Sequence, residues 1–464
     1  MNPQDYPHLE ISVLKLSEAL KDNPTKRMDA EYFKREWVEN EERIQSPHTI
    51  GEFVSPKIAN IKSLKLNKNF HYLQISDIDL SNGLAYPITE IDFKQIPDRA
   101  TYVLQKNDVC VSLVRPNRNA VVLIGESKRL VGTSGFCVLR VTSQQLVPEF
   151  LYIFCKTEFF ITKMVRANTA SMYPAILDRD VLSCKIPLLP LDFQEHIAQL
   201  VKNAHACLEQ SKALYKKAQG LLEQELGTPP KAPLKEHQIK SLKESFLSTG
   251  RLDAEFYQSK YEHLETCLRE YVNGVVPLKD LVHEYSSGFA FKSVDYLEQQ
   301  QPNALMLIRI NNIKRNTLDT QNVIYLPAQA KELSPKDKLQ KGDLLISMSG
   351  SIGLACVVHT EIEAMLNQRI LKIRVKNFIP EVLALYLNSV MGRLQFERIG
   401  TGGVQTNLSY ADMQNIFVPK IPLNIQEQIA ALLQESLKHR EQAKVLLTQA
   451  KAGAEHALTG GGGG

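Results

Sequence analysis

The hydrophobic pattern changes character along the chain and predicts both strands and helices. Short apolar runs separated by Gly, Asn, Pro and Ser predict buried strands. These runs lie at 109–114, 120–124, 136–141, 344–347, 355–358 and 370–375. A helix is expected after each group of strands, from Pro148 to about Arg166 and from Pro380 to about Arg398, because proline is well tolerated at the start of a helix.

Two longer segments have the alternating four- and three-residue spacing of a coiled coil. The first stripe consists of Ile197, Val201, Ala204, Leu208, Ser211, Tyr215, Ala218 and Leu222. The second consists of Ile425, Ile429, Leu432, Ala443, Leu446 and Ala450, with Ser436 and His439 as weaker positions between them. Each stripe alone would also suit a surface helix on its own domain. Their matched positions favour two long helices packed on each other.

Most of the chain consists of two copies of an internal sequence repeat. Five segments recur in the same order, displaced by 224 to 235 residues: 27–33 and 251–257, 72–78 and 307–313, 106–112 and 341–347, 148–151 and 380–383, and 193–200 and 425–432. A duplicated fold without functional meaning is the simpler interpretation. A pseudo-two-fold molecule, however, suits a partner with repeated geometry, such as duplex DNA or a pair of identical subunits.

These patterns predict an α+β fold with an internal pseudo-two-fold repeat. We expect two similar globular domains and a pair of long antiparallel helices that form a coiled coil. The predicted segments are a globular domain at 1–190, a long helix at 191–227, a Pro-rich linker with a second globular domain at 228–422, a long helix at 423–459 and a flexible Gly tail at 460–464.

Composition and motifs exclude several classes of protein. The seven cysteines are scattered without a C-x-x-C pair, which argues against a disulfide framework or zinc site and fits a reducing, cytoplasmic location. We find no secretory signal, and the most apolar stretch, 150–161, is too short and polar to span a membrane. No P-loop, dinucleotide fingerprint, H-E-x-x-H or nucleophile elbow is present, so we predict neither a catalytic nor a metal site. Asp77 and Asp79 are interpreted as solvated loop carboxylates.

Two segments carry a resemblance to a known family. Each repeat ends in Ile-Pro-Leu followed by a Gln-Glu-x-Ile-Ala helix, at 185–198 and 420–430. With the loop at 401–408, this arrangement resembles the specificity subunit (HsdS) of type I restriction-modification enzymes. In the first half, Asn168–Pro174 replaces the Gly-rich loop of the family pattern.

The resemblance implies a non-catalytic function. Each globular part would be a target-recognition domain for one half of a bipartite double-stranded DNA site, and the antiparallel helices would fix the spacing between the halves. Methyltransferase subunits would dock on the helices and bring S-adenosylmethionine. Restriction subunits would bring ATP-driven translocation and Mg-dependent cleavage.

Loops with polar side chains are the candidate DNA contacts, because Arg pairs with guanine, Asn or Gln pairs with adenine, and hydroxyl or basic groups bind phosphate. In the first half the candidates are Gln74, Ser76, Arg115, Asn117, Arg118, Asn119, Thr133, Ser134, Ser171 and Tyr173. In the second half they are Arg309, Asn311, Asn312, Lys314, Ser349, Ser351, Gln368, Arg369, Gln405, Thr406 and Asn407. Any single one of them also fits a solvated loop side chain, as does the basic run Lys57, Lys62, Lys65 and Lys68.

Three alternative functions remain open at this point. The chain also fits a helical scaffold or adaptor that binds protein partners without reading DNA. A self-contained nuclease or methyltransferase is disfavoured by the absent motifs. A milder variant is the DNA-reading subunit of a related restriction system with different partners. A mildly basic balance, with 55 Lys and Arg against 51 Asp and Glu, permits DNA binding without requiring it.

Overall fold

The computed structural model describes residues 13–20, 23, 26–44, 46–63, 69–80, 82–85, 89–125, 129–168, 174–227, 239–297, 300–320, 323–400 and 407–460. The chain divides into two compact units. The first unit contains residues 1–209 and 439–464, and the second contains residues 210–438. Each unit combines a globular part with portions of two long helices.

Helices are numbered α1 to α14 in chain order within the described residues. They are Leu16–Leu20, Arg35–Arg43, Pro148–Phe154, Glu158–Ala167, Asp178–Leu182, Leu191–Leu226, Phe246–Thr249, Ser259–Arg269, Leu278–Leu281, Ala330–Leu333, Pro380–Asn388, Val390–Ile399, Tyr410–Met413 and Leu423–Gly460.

Strands are numbered β1 to β18 in the same way and across the same described ranges. They are Phe70–Leu73, Thr89–Ile91, Ala100–Leu104, Val109–Ser112, Val121–Leu123, Leu130–Thr133, Phe136–Leu139, Val275–Pro277, Val282–Ser286, Leu305–Ile308, Ile313–Lys314, Thr317–Leu318, Ile324–Leu326, Leu344–Ser347, Ala355–Val357, Ala364–Leu366, Ile370–Val375 and Phe417–Pro419.

The two units share the topology of their main sheets. The first unit has the strand orders β2-β1-β6-β3 and β5-β4-β7, and the second has β13-β10-β16 and β15-β14-β17-β9. In both, the first sheet contains a parallel pair, β1 with β6 and β10 with β16. The units differ at the sheet margins, since β3 extends one and β9 extends the other. The sequence repeat is therefore a repeat of fold.

The helix predicted after each group of strands is two helices in the structure, so this prediction was wrong. α3 ends at Phe154 and α4 begins at Glu158, with Thr157 as its N-cap. α11 ends at Asn388 and α12 begins at Val390, with Ser389 as its N-cap. Thr157 and Ser389 accept hydrogen bonds from the backbone N–H three residues later, at 3.4 and 3.3 Å. These hydroxyls begin a new helix where the apolar pattern alone predicts continuation.

The two long helices, α6 and α14, pack in antiparallel orientation. In the first unit a Cβ placed on Gly453 would lie 3.4 Å from Ile197. In the second unit the hydroxyls of Ser211 and Ser436 are 2.8 Å apart. As the residue numbers increase along α6, the residue numbers of the contacted positions on α14 decrease. The predicted seam of α6 is buried except at Tyr215, which is half-buried.

The predicted seam of α14 was partly wrong. Ile425, Leu432 and Leu446 are only half-buried. The buried stripe of α14 instead includes Leu433, Leu447, Ala454 and Leu458. Ser436, a weak position in the sequence pattern, is buried and donates to the backbone oxygen of Ser211 at 2.8 Å.

The first glutamine of each Gln-Glu-x-Ile-Ala motif anchors a long helix on its unit. Gln194 is fully buried; its Oε1 accepts from Val147 N at 2.9 Å, and its Nε2 donates to Leu189 O at 2.9 Å. Gln426 makes the matching pair of bonds, from Ile379 N at 2.9 Å and to Ile421 O at 2.8 Å. The motif therefore satisfies backbone groups at the start of α3 and α11.

None of the described helices combines the length and apolar character needed to cross a membrane. All seven cysteines are free thiols, and six of them are buried.

Candidate nucleic-acid interface

Four loops of the first unit meet at one edge, where β1 and β6 end. Because these strands are parallel neighbours, their carboxyl ends lie side by side. A Cβ on Gly135, just beyond β6, would lie 2.8 Å from Ile75, just beyond β1. Leu113, after β4, donates its N–H to Gly135 O at 2.9 Å and accepts from Ile176 N at 2.9 Å. We call the loops at 74–76, 113–119, 134–135 and 174–176 the first candidate edge.

The second unit builds the same backbone frame from equivalent positions. Met348 donates its N–H to Arg369 O at 3.0 Å and accepts from Leu408 N at 2.8 Å, as Leu113 does in the first unit. Asn367 N donates to Ile308 O at 2.9 Å across the parallel pair. The loops at 309–312, 348–351, 367–369 and 407–408 form the second candidate edge.

Most predicted contact residues in the described part of the first unit are exposed on its edge. The exposed side chains are Gln74, Ser76, Arg115, Asn117, Arg118 and Ser134. Asn119 is half-buried, and Thr133 is buried within β6. The side chain of Thr133 is enclosed by the fold, so its prediction as a DNA contact was wrong.

The second edge is similar in exposure but different in side chains. The exposed predicted residues are Asn311, Lys314, Ser351, Gln368, Arg369 and Asn407, with Arg309 half-buried. Ser349 is buried and forms a bridge with Asn407. Asn312 is fully buried; its Oδ1 accepts from Arg309 N at 2.9 Å and its Nδ2 donates to Asp319 O at 2.9 Å. Ser349 and Asn312 are therefore structural residues of the edge.

Asp77 has the same structural role in the first unit, which corrects its interpretation as a solvated carboxylate. It is buried, and its Oδ2 accepts from Gln74 N at 2.9 Å. Asp77 and Asn312 thus fix the turns after β1 and β10, so that Gln74 and Arg309 leave each sheet at equivalent points. Asp79 is exposed as predicted.

Several predicted residues lie outside the described residues: Ser171, Tyr173, Gln405, Thr406, Lys65 and Lys68. Lys57 and Lys62 are described and exposed.

One arginine on each edge has a left-handed backbone. Arg115 has φ of 51° and Arg369 has φ of 68°, a region that side chains larger than glycine occupy at a cost. The two positions are exchanged between the units: Gly350 stands where the first unit has Arg115, and Gly135 stands where the second has Arg369. Each edge therefore presents an arginine of left-handed backbone from a different corner of the same frame.

The second edge also contains two buried polar atoms and a close glycine contact. Arg309 Nε and Asn367 Oδ1 are buried and have no hydrogen-bond partner among the described residues. Phe289 N donates to Leu366 O at 3.2 Å, which brings the segment after β9 to this edge. A Cβ on Gly288 would lie 2.0 Å from Asn367 O, so only glycine permits this approach. In the sequence, the small residues at 286–288 are the feature that indicates this close approach.

Residues 273–446 match the family model of the type I restriction modification DNA specificity domain. Three solved structures are also similar to the chain. The HsdS subunit from Thermoanaerobacter tengcongensis is 19% identical, over 89% of this chain and 96% of that chain, with a TM-score of 0.34. The type I restriction-modification S subunit from M. genitalium is 14% identical, over 90% and 96% respectively, with a TM-score of 0.42.

A third structure is described as the basis of complex assembly and conformational transition of the type I R-M system. It is 20% identical, over 89% of this chain and 97% of that chain, with a TM-score of 0.34. The segment that matches the family model, 273–446, lies almost wholly in the second unit.

Proposed function

We propose that this chain, whose residues 273–446 match the family model of the type I restriction modification DNA specificity domain, is the DNA-sequence-reading subunit of a restriction-modification enzyme. Each candidate edge would read one half of a bipartite duplex site. The chain would have no catalytic step of its own.

The observation that carries the proposal is one backbone frame with two sets of side chains. The hydrogen bonds of Leu113 and Met348 are the same, whereas the exposed groups around them differ. The loop that carries Arg115 and Arg118 corresponds to the loop that carries Gly350 and Ser351, and Ser134 corresponds to Gln368. Two readers of different base sequences need this combination, because the frame sets the approach to the groove and the side chains select the bases.

The long helices supply the second part of the proposal. At about 1.5 Å per residue, a helix of the length of α6 spans on the order of 50 Å, comparable to about fifteen base pairs of duplex. We propose that the helix pair sets the gap in the target and is the docking site for methyltransferase subunits. These subunits would bring S-adenosylmethionine, and restriction subunits would bring ATP and Mg.

Mapping of methylated bases in the host genome, with the gene present and deleted, tests the proposal. We expect deletion to remove methylation at one split motif, with two defined halves and a fixed unspecific gap. Re-expression of the gene should restore it. Persistence of every methylated motif would contradict the proposal.

Binding of the purified chain to duplex DNA separates this function from that of a protein scaffold. A DNA reader neutralises phosphates, so its affinity should fall steeply as salt concentration rises. A scaffold would show no such binding. Methylation by the purified chain alone, without partner subunits, would instead support a self-contained enzyme.

A further inference from the structure

A polar side chain lies at the joint between two helices in both units. In the first unit this residue is Lys156, between α3 and α4, and Thr157 follows it as the N-cap of α4. In the second unit the equivalent residue is Asn388, the last of α11, followed by the N-cap Ser389. Neither residue was singled out in the sequence.

Lys156 ties two loops of the first unit to each other. Its Nζ donates to Leu80 O at 3.1 Å and to Asn119 O at 3.5 Å. In return, Asn119 Nδ2 donates to Lys156 O at 3.3 Å. Leu80 follows β1, and Asn119 ends the loop that carries Arg115. One ammonium group thus joins the segment that follows the turn after β1 to the end of the loop after β4.

Asn388 joins two segments of the second unit in the same way, but through a side-chain amide and not an ammonium group. Its Nδ2 donates to Asn316 Oδ1 at 3.1 Å and to Ala355 O at 2.7 Å, and its Oδ1 accepts from Ala355 N at 3.1 Å. Asn316 follows the turn after β10, and Ala355 begins the strand after β14. Asn316 also donates to Tyr215 Oη on α6 at 2.5 Å.

We propose that Lys156 and Asn388 are positioning residues that hold the base-reading loops of their own units in register. The proposal rests on the proposed function, since the loops are taken to read DNA. Lys156 and Asn388 donate hydrogen bonds to backbone carbonyls or to a neutral amide side chain, and not to a carboxylate. Such bonds hold the backbone of a loop in place. Base reading depends on side-chain forks placed to within a fraction of an ångström, so a released loop loses discrimination before the fold is lost.

Lys156 is half-buried, and the fold removes part of its side chain from water. Burial lowers the pKa of Lys156 to about 8; Asp79 opposes this change, and Lys451 on α14 adds to it. Removing a charged amine from water is costly, and a methionine would fill similar space without that cost. The loop contacts give a reason for a lysine at this position.

The test compares genome-wide methylation for the wild-type gene and three variants, each expressed with the host's own partner subunits. Lys156→Met should relax one half of the split motif, with on the order of a tenfold rise in methylation of sites mismatched in that half alone. Asn388→Ala should relax the opposite half. Lys106→Met is the control, because Lys106 is exposed and lies before β4, at the end of that strand away from the edge.

The outcomes separate positioning from stability. Relaxation of opposite halves supports the inference. An equal decline of methylation at both halves, or unchanged discrimination in both, overturns it. If Lys156→Met does not accumulate as folded protein, Lys156→Asn, which introduces the residue found in the second unit, is measured by the same criterion. A wild-type gene without any split motif would instead refute the proposed function.

Discussion

Arg115 has a backbone conformation that glycine adopts more easily, and it is exposed on a candidate edge. A left-handed conformation costs a non-glycine residue about 1 kcal/mol or more, while glycine raises the entropy of the unfolded chain by a similar amount. Arg115→Gly should therefore change the free energy of unfolding by less than about 1 kcal/mol. It should weaken binding to the target duplex by on the order of tenfold or more. Urea unfolding and duplex titration measure the two effects.

Arg129 provides a matched control for that variant. It is also an exposed arginine with a left-handed backbone, with φ of 56°, but it precedes β6 and so lies at the opposite end of that strand. Arg129→Gly should leave duplex affinity unchanged. Equal loss of affinity in both variants would mean that Arg115 acts only through net charge.

Lys156 makes stability depend on pH in a predictable direction. Below about pH 8 both the folded and the unfolded chain hold its proton, and the folded state bears the cost of burying the charge. Between about pH 8 and 10.5 only the unfolded state holds it, so the contribution of this site to stability rises with pH. Relative to Lys156→Met, the wild-type chain should gain about 2 kcal/mol from pH 7 to pH 10.

Urea unfolding of both proteins at a series of pH values measures this difference, and the other titrating groups cancel because both chains share them. A stability difference that stays constant across this range would show that the ammonium is fully hydrated in the folded state.

Single residues were the least predictable from sequence. The exposed arginines and amides on the edges follow from their place after apolar runs. Lys156 could not be identified, because a lysine near an apolar helix is typical of a solvated surface. Asp77 was misinterpreted, since its burial depends on a turn closed by Gln74 N that no local pattern specifies.

At the scale of elements, the attachment of each long helix depends on one buried amide. Gln194→Ala would leave Val147 N and the oxygens of Gln145 and Leu189 without their partner and open a cavity. We expect the free energy of unfolding to fall by about 2–4 kcal/mol. Gln199→Ala, an exposed site on the same helix, should change it by less than about 0.5 kcal/mol.

Urea unfolding of the two variants provides the comparison. Similar small changes in both would mean that the motif is conserved between the repeats for a reason other than stability, such as contact with a partner.

Elements were predicted well where the pattern was long and regular. The seam of α6 matches the sequence stripe, because uninterrupted spacing over many turns leaves one packing face. The breaks before α4 and α12 were missed, since Thr157 and Ser389 are compatible with a continuous helix until their hydroxyls cap the next one. On α14 the apolar residues are adjacent, as at Leu432 and Leu433, and only the partner helix decides which is buried.

At the scale of the whole molecule, the proposed function makes helix length a determinant of the DNA target. Insertion of seven residues into α6 after Ser211 and into α14 before Ser436 keeps the coiled-coil repeat and adds about 10 Å to each helix. The unspecific gap of the methylated motif should grow by about three base pairs, with both halves unchanged. Methylation mapping measures the gap.

An insertion into α6 alone is the control, because it displaces one seam against the other and should abolish methylation. A gap of unchanged length in the double insertion would mean that something other than the helix pair sets it.

The duplication was the strongest whole-molecule signal in the sequence, and it correctly predicted that both units share a sheet topology. It could not predict which backbone atoms form the frame, because the bonds of Leu113 and Met348 join segments that are distant in sequence.

The exchanged arginine and glycine positions make the two candidate edges chemically different. Arg115 and Arg369 occupy different corners of one frame, so rotating the chain by half a turn on the duplex would not present the same groups to the same bases. The target should therefore be non-palindromic. Every copy of the target in a genome would then have one of two orientations along the chromosome. The orientation of the target would determine the orientation of the bound complex.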